Sequence, residues 1–256
     1  MNIFTNTPII GIDRGASFTD FAVIKSGKLT ENLSIENRDW KSIKIIYRRL
    51  IDKYHTDHIV FTGSVAHMPA AMKSKVHVIP EIDAIGFGGA ALADCSDCIV
   101  VSMGTGSAIV RFADNNARHL GGSGVGGGTI KGLASLICGV DDPLKIEALA
   151  LKGNASKLNL TIADVKSKKV EDLAAAILRL VGETVGIIAS ICARENNCRD
   201  HIVMVGKVSN NHFIRHVLKL VGKLYQTTFL FPPNPGYATV YGAAIKYTHD
   251  LNASIK

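Results

Sequence analysis

The sequence predicts an α/β protein of two RNase H-like domains, and three observations carry that prediction. Residues 9–13 form a short apolar run ending in a turn. Residues 18–25 and 28–34 follow as two further strands, joined tightly by Ser26-Gly27. Residues 39–54 then repeat Ile43, Ile46, Leu50 and Ile51 at helical spacing, ahead of the buried run 58–62. Lastly, strand, glycine turn and strand recur at 98–103 and 107–112, which divides the chain near residues 94–97. The expected domains are therefore 1–96 and 97–256.

The remaining elements are read in order. Residues 82–93 are helical despite their glycines. Helices are expected at 129–138 and 143–152, then a polar excursion at 152–169, then a long helix at 171–195 with small residues on one side. A strand at 201–205, a helix at 210–221, a strand at 227–231 and a helix at 238–249 complete the chain.

Composition narrows the function classes. A chain of 256 residues suits two modest domains, and 47% hydrophobic with 20% charged residues suits a folded globular protein. No unbroken run of about 18 apolar residues stands out, so no membrane association is expected. The first eight residues lack the basic flank and apolar stretch of a secretory signal. A formal charge of +7 fits an anionic partner. The cations are scattered and no aromatic-rich basic motif occurs, so a small anionic substrate is expected rather than nucleic acid. An odd count of five cysteines points to reduced thiols and a cytoplasmic location. Cys95 and Cys98 have no second ligand pair at zinc spacing, and a structural role is expected for them. His67 and His77 read as surface or loop residues rather than ligands.

Four motifs carry chemistry. In Gly11-Ile12-Asp13-Arg14-Gly15-Ala16-Ser17, an acid ends a strand and small turn residues follow. Gly15 and Ser17 let backbone amides approach a phosphate, and Asp13 offers oxygen to Mg²⁺. Gly104-Thr105-Gly106 is a second turn of this kind, and the two turns suit a cleft gripping a nucleotide from both sides. In the stretch from Gly121 to Thr129, Gly126, Gly127 and Gly128 lead into a helix, whose first amides and dipole attract phosphate oxygens. Pro80-Glu81-Ile82-Asp83 places two acids at a helix start. There they favour the helix dipole, and a carboxylate so placed can also take a proton from an attacking hydroxyl.

In this order and at these separations, the motifs resemble the type II pantothenate kinases. The most specific block is LGGSGVGGGTIKGLASLICG, beginning at Leu120, and the resemblance runs over roughly residues 9–246. It implies the actin-like ATPase/sugar-kinase superfold with an interdomain nucleotide cleft. It also implies MgATP-dependent phosphorylation of the primary hydroxyl of pantothenate, in coenzyme A biosynthesis, by a cytoplasmic homodimer. Glu81 would be the general base. Asp13 would organise Mg²⁺, the glycine turns would hold phosphates, and Gly206 with Gly242-Ala243 would stand on the adenosine side. Arg118, His119 and Gly121 would face the acceptor. The chain departs from the family pattern at three points. Gly15-Ala16-Ser17 replaces Gly-Gly-Thr, Asp20 replaces a lysine, and His119 replaces an arginine, with Arg118 beside it. A related small alcohol is therefore an alternative acceptor. The opening segment also looks like that of hydantoinase-type ATPases. Two further readings are a non-kinase ATPase acting on a protein partner and a catalytically impaired sensor of ATP or coenzyme A thioesters.

Overall fold

Apolar residues at both odd and even positions of a strand require cover on both faces of its sheet. Ile9–Arg14 (β1) has that pattern. In the computed structural model, which describes residues 7–37, 40–66, 68–156 and 158–254, β1 is the middle of a five-stranded sheet. Phe18–Lys25 (β2) pairs antiparallel with β1, and Lys28–Glu36 (β3) pairs antiparallel with β2. After Trp40–Tyr54 (α1), Ile59–Gly63 (β4) pairs parallel with β1 on its other side. A short helix, Ala70–Lys73 (α2), precedes His77–Val78 (β5), which adds in parallel to β4. Ile10, Ile12, Phe21, Val23 and Phe61 face α1, where Ile43, Tyr47 and Leu50 are buried. The alternate set, Ile9, Ala22, Ile24 and Val60, packs with residues of two helices. One is Glu81–Ala93 (α3) and the other is the last helix of the chain.

The second sheet repeats the plan. Cys98–Met103 (β6), Ser107–Ala113 (β7) and Asn116–Ser123 (β8) come first. Four helices follow: Gly127–Cys138 (α4), Pro143–Ala150 (α5), Ile162–Ser167 (α6) and Val170–Glu195 (α7). Ile202–Val205 (β9), His212–Tyr225 (α8), Phe229–Leu230 (β10) and Ala238–Ser254 (α9) complete the chain. The strand orders are β3-β2-β1-β4-β5 and β10-β9-β6-β7-β8. In chain order both sheets read third, second, first, fourth, fifth, so the expected duplication is a repeat of topology.

Ile99, Val101, Met103, Ile202 and Met204 form the second core with α7. The small residues of α7 serve close packing, because a Cβ on Gly182 or Gly186 would come within 2.9 Å of Val217 or Leu218 on α8. By length and composition α7 could cross a membrane, which the sequence reading did not register. Its Leu173–Leu178 stretch, Val181, Val185 and Ala189 are buried in this core, as in a core helix. Ahead of β6, the Arg111 guanidinium pairs with Asp97 at 2.5 Å and donates to the carbonyl of Cys98 at 3.3 Å. The Cys198 thiol donates to Asp97 Oδ1 at 3.4 Å. Burial and then Asp97 push that thiol up to about 11.

Two compact units result. One comprises the described residues up to Ser96, Phe112–Arg118 and the described residues from Tyr237 on. The other comprises Asp97–Arg111 and His119–Gly236. The last helix, expected in the second domain, thus groups with the first. Its Val240, Ala243, Ala244 and Tyr247 are buried with Ile9, Ala22 and Val60. A Cβ on Gly242 would overlap the backbone of Ala84 and Gly88, and one on Gly88 would overlap Ala238. These glycines let α3 and α9 cross at backbone contact.

Other differences are local. Helix α1 begins at Trp40, Asp39 lying outside the described residues, as does His67. The polar excursion contains α6, capped by Thr161, whose hydroxyl accepts from the Asp164 amide. The third strand of the second sheet, β8, had no counterpart in the sequence reading, and it takes up the first glycines of the glycine-rich stretch.

Candidate functional site

In the second unit, three glycine motifs that are remote in sequence meet at the carboxyl ends of β6 and β9. The amides of Gly127 and Gly128, at the start of α4, donate to the carbonyls of Gly104 and Thr105, both at 2.8 Å. A Cβ on Gly126 would come within 2.5 Å of the Gly106 carbonyl oxygen, and one on Gly106 within 2.6 Å of that of Ser123. Gly206 has φ +87, and its Cβ would overlap the carbonyl of Met103. Val205 pairs with Ser102 in register, which places Gly206 beside the Gly104 turn. The predicted residues Gly104, Thr105, Gly106, Gly126, Gly127, Gly128 and Gly206 are therefore one structural cluster. Ligands of open α/β sheets bind at this end of the strands.

The glycines divide into two kinds. Gly106, Gly122, Gly126, Gly127 and Gly128 are required by neighbouring chain, mostly backbone, whereas a Cβ on Gly104, Gly121 or Gly124 would meet nothing within 4 Å. Gly104 and Thr105 are exposed, so the first turn presents its backbone to solvent. The sequence reading expected the first amides of α4 to stand open to an anion. Two of them are instead bonded to the 104–105 turn, because the glycines bring the two backbones into contact. The Thr129 hydroxyl donates to the Gly124 carbonyl at 3.0 Å and accepts from the Gly126 amide at 3.3 Å, which fixes the turn into α4.

Gly121 lies within β8 rather than in a loop. Strand β8 also carries Arg118 and His119, both exposed. Successive strand residues point to opposite faces. Arg118 therefore does not take the place of His119 without a register shift that would invert the whole strand.

In the first unit, Asp13 is the penultimate residue of β1. It lies between Asp20 on β2 and Thr62 on β4, its register partners. Gly63 follows Thr62 with φ +79; a Cβ there would overlap the Arg14 carbonyl and come within 2.9 Å of Asp13 Oδ1. Neither Thr62 nor Gly63 was singled out from the sequence. The available signal was a glycine directly after an apolar strand, as at Val205-Gly206. The turn carrying Gly15 and Ser17 is held by a residue the sequence reading did not consider, Asn37. Its amide nitrogen donates to the Gly15 carbonyl at 2.6 Å, and its oxygen accepts from the Thr19 hydroxyl at 2.6 Å. The Asn37 backbone amide donates to the Ser17 carbonyl at 2.9 Å.

Glu81 opens α3 at the same edge of the first sheet. The Ile79 amide donates to the Phe61 carbonyl at 2.8 Å, so the chain leaves β5 beside the end of β4 and turns at Pro80 into the helix. Glu81 is exposed and Asp83 half-buried, both in the first turn, where carboxylates favour the helix dipole. Tyr237 stands near Asp20. Burial, and then the charge of Asp20, raise its phenol above the usual tyrosine range.

Comparisons with known proteins agree with this architecture. The family model described as Fumble matches residues 50–171. A type II pantothenate kinase of Oceanobacillus iheyensis is 25% identical over 265 residues, covering 92% of this chain and 98% of the relative. Among solved structures, the activator of the 2-hydroxyisocaproyl-CoA dehydratase from Clostridium difficile with bound ADPNP has a TM-score of 0.75 at 17% identity. That match covers 97% of each chain. A ROK family glucokinase from Streptomyces griseus, in complex with glucose and AMPPNP, has a TM-score of 0.64 at 15% identity, covering 93% of this chain and 98% of the other. Strand order and the comparisons agree: the chain is similar over most of its length to type II pantothenate kinases, and it has the actin-like ATPase/sugar-kinase fold.

Proposed function

We propose that the chain is an ATP-dependent kinase that phosphorylates the primary hydroxyl of a small molecule, pantothenate or a related alcohol. The observation that carries this reading is the meeting of the 104–106 turn, the start of α4 and Gly206 at one end of a sheet. Glycines that leave open space at Gly104 and Gly124 allow backbone to approach phosphate oxygens. The relatives named type II pantothenate kinases support the reaction class, and the nucleotide analogues in the fold neighbours support ATP as donor.

In this reading Glu81 accepts the proton of the acceptor hydroxyl as the oxygen bonds to the γ-phosphorus and the bond to ADP breaks. Pro80 fixes the backbone from which that carboxylate projects. Asn37 holds the Gly15–Ser17 turn in place. The corner at Asp13 suits a hard cation, since a half-buried carboxylate lies in register with Thr62, whose buried hydroxyl has no hydrogen-bond partner among the described residues. Mg²⁺ bound there would supply charge neutralisation for the transferring phosphate.

The test is an ATP-consumption screen over pantothenate, pantetheine and a panel of small hydroxy acids and polyols. Turnover on at least one alcohol is expected. ATP binding with no acceptor turned over would favour an ATPase that acts on a protein partner or a sensor.

A further inference from the structure

Three oxygen-bearing side chains line up across the first sheet. Asp13 pairs with Asp20 on the antiparallel β2 and with Thr62 on the parallel β4. Register partners on neighbouring strands present their side chains to one face. Residues two positions back identify that face, since Ala22 and Val60 are buried with residues of α3 and α9, and a Cβ on Gly11 would meet Val240. Asp20 is 7% exposed and Thr62 0%, while Asp13 is half-buried at the strand end.

This arrangement carries two costs. Carboxylates directly opposite one another on paired strands repel. The Thr62 hydroxyl is fully buried and has no hydrogen-bond partner among the described residues, and a buried hydroxyl left unsatisfied carries a desolvation penalty. A hard divalent cation relieves both, because it binds through one or two carboxylates, accepts a hydroxyl oxygen and keeps water or phosphate on its remaining positions. The sequence sharpens the point, since Asp20 stands where the family resemblance puts a lysine.

We infer that Asp13 and Asp20 jointly hold a divalent cation, with Thr62 Oγ1 as a third protein oxygen, and that this cation binds the chain before any nucleotide does. The inference rests on the kinase reading for what the cation is for. Its binding stands on the register of the three residues. Such a site differs from one with a single carboxylate, which acquires its metal together with the nucleotide phosphates.

Mn²⁺ serves as the probe, titrated into the nucleotide-free full chain and counted by loss of its free paramagnetic resonance signal. The wild type should bind one ion tightly. Asp20→Asn should weaken binding by about tenfold or more, the scale of loss when a metal site's support is removed, and Thr62→Val should weaken it less. Mg²⁺ without nucleotide should raise the melting temperature of the wild type and leave that of Asp20→Asn unmoved. Circular dichroism checks that Asp20→Asn is folded; should it not be, the Thr62→Val result decides. A wild type that binds no Mn²⁺ without nucleotide, or variants that bind it as the wild type does, would overturn the inference. ATP binding measured in parallel with a fluorescent analogue keeps the two readings apart. Its absence with and without metal counts against the kinase, whereas its presence beside a failed Mn²⁺ titration counts against the cation site alone.

Discussion

Gly63 and Gly206 occupy matching points in the two sheets, Gly63 as the last residue of β4 and Gly206 directly after β9, and both have positive φ, at +79 and +87. In both, a Cβ would overlap the carbonyl at the end of the first strand, Arg14 in one case and Met103 in the other. The duplication thus extends to the turn that lets the chain leave the sheet without covering the strand ends. Alanine at either position combines a positive φ with overlap against backbone that cannot yield. Gly63→Ala and Gly206→Ala should each cost about 1–3 kcal/mol. The measurement is urea unfolding, with a lower midpoint and an unchanged slope.

The glycine-rich stretch makes a sharper contrast. Gly126→Ala should destabilise, because its Cβ would run into the Gly106 backbone. Gly104→Ala and Gly124→Ala have open space and ordinary backbone, so stability should change by no more than about 0.5 kcal/mol. If these two face phosphate, both should nevertheless weaken ATP binding. Calorimetric titration of ATP alongside thermal melts separates the two effects, and unchanged ATP affinity in both would argue against the phosphate role.

Glu81→Gln keeps the shape of the side chain and removes the proposed base. Turnover should fall by about 10² to 10⁴-fold, the usual general-base contribution, with little change in ATP affinity. Asp83→Asn is the control: two residues along the helix it points away by about 200°. Loss of turnover in Asp83→Asn with near-normal Glu81→Gln would reassign the base.

Arg118 and His119 leave opposite faces of β8, so they should not behave as interchangeable donors. His119→Arg restores the fork of donors that suits a carboxylate. It should raise kcat/KM for pantothenate if the acceptor is that of the relatives. Lower activity in this variant, against a robust wild type, would show that His119 is fitted to an acceptor of its own.

Much of this was legible in the sequence, for identifiable reasons. Strands β1, β2 and β6 are apolar on both faces because helices or core cover both, and so they stand out as runs. The Leu120–Gly139 block is distinctive in part because Gly126, Gly127 and Gly128 are pressed against the 104–106 turn. Strand β8 was not legible. Asn116–Ser123 ends its sheet with mostly exposed or half-buried residues, so no apolar alternation marks it. The side taken by α9 was equally hidden, since periodicity shows that a helix buries a face but not against which sheet. Asn37 and Thr62 matter through hydrogen bonds made or missing, which no pattern of residue types reveals.

The Asp97–Arg111 pair makes a pH prediction. Hydrogen bonding to Arg111, foremost, holds the Asp97 carboxyl below its usual range. A depressed carboxylate contributes stability above its unfolded value, about 3.9, and that contribution is lost as pH falls through the folded value. Asp97 is 59% exposed, so solvent screening keeps the effect small. Arg111→Met should melt below the wild type at neutral pH, and the gap should narrow below about pH 4. A gap that persists undiminished in acid would assign the difference to packing instead.

The return of α9 to the first sheet has a consequence for how the chain is made. The first unit's strands leave the ribosome early, but the helix that covers one face of them is synthesised only after the second unit. At roughly 5–20 residues per second, about 9 to 35 seconds separate the two, and throughout that interval Ile9, Ala22, Ile24 and Val60 lack the cover that α9 provides. The second unit, nearly continuous in sequence, is complete before α9 emerges. Completion of the first unit therefore waits for a segment translated after the second unit. A chain stalled ahead of Ala238 should expose the first unit to protease while the second resists it.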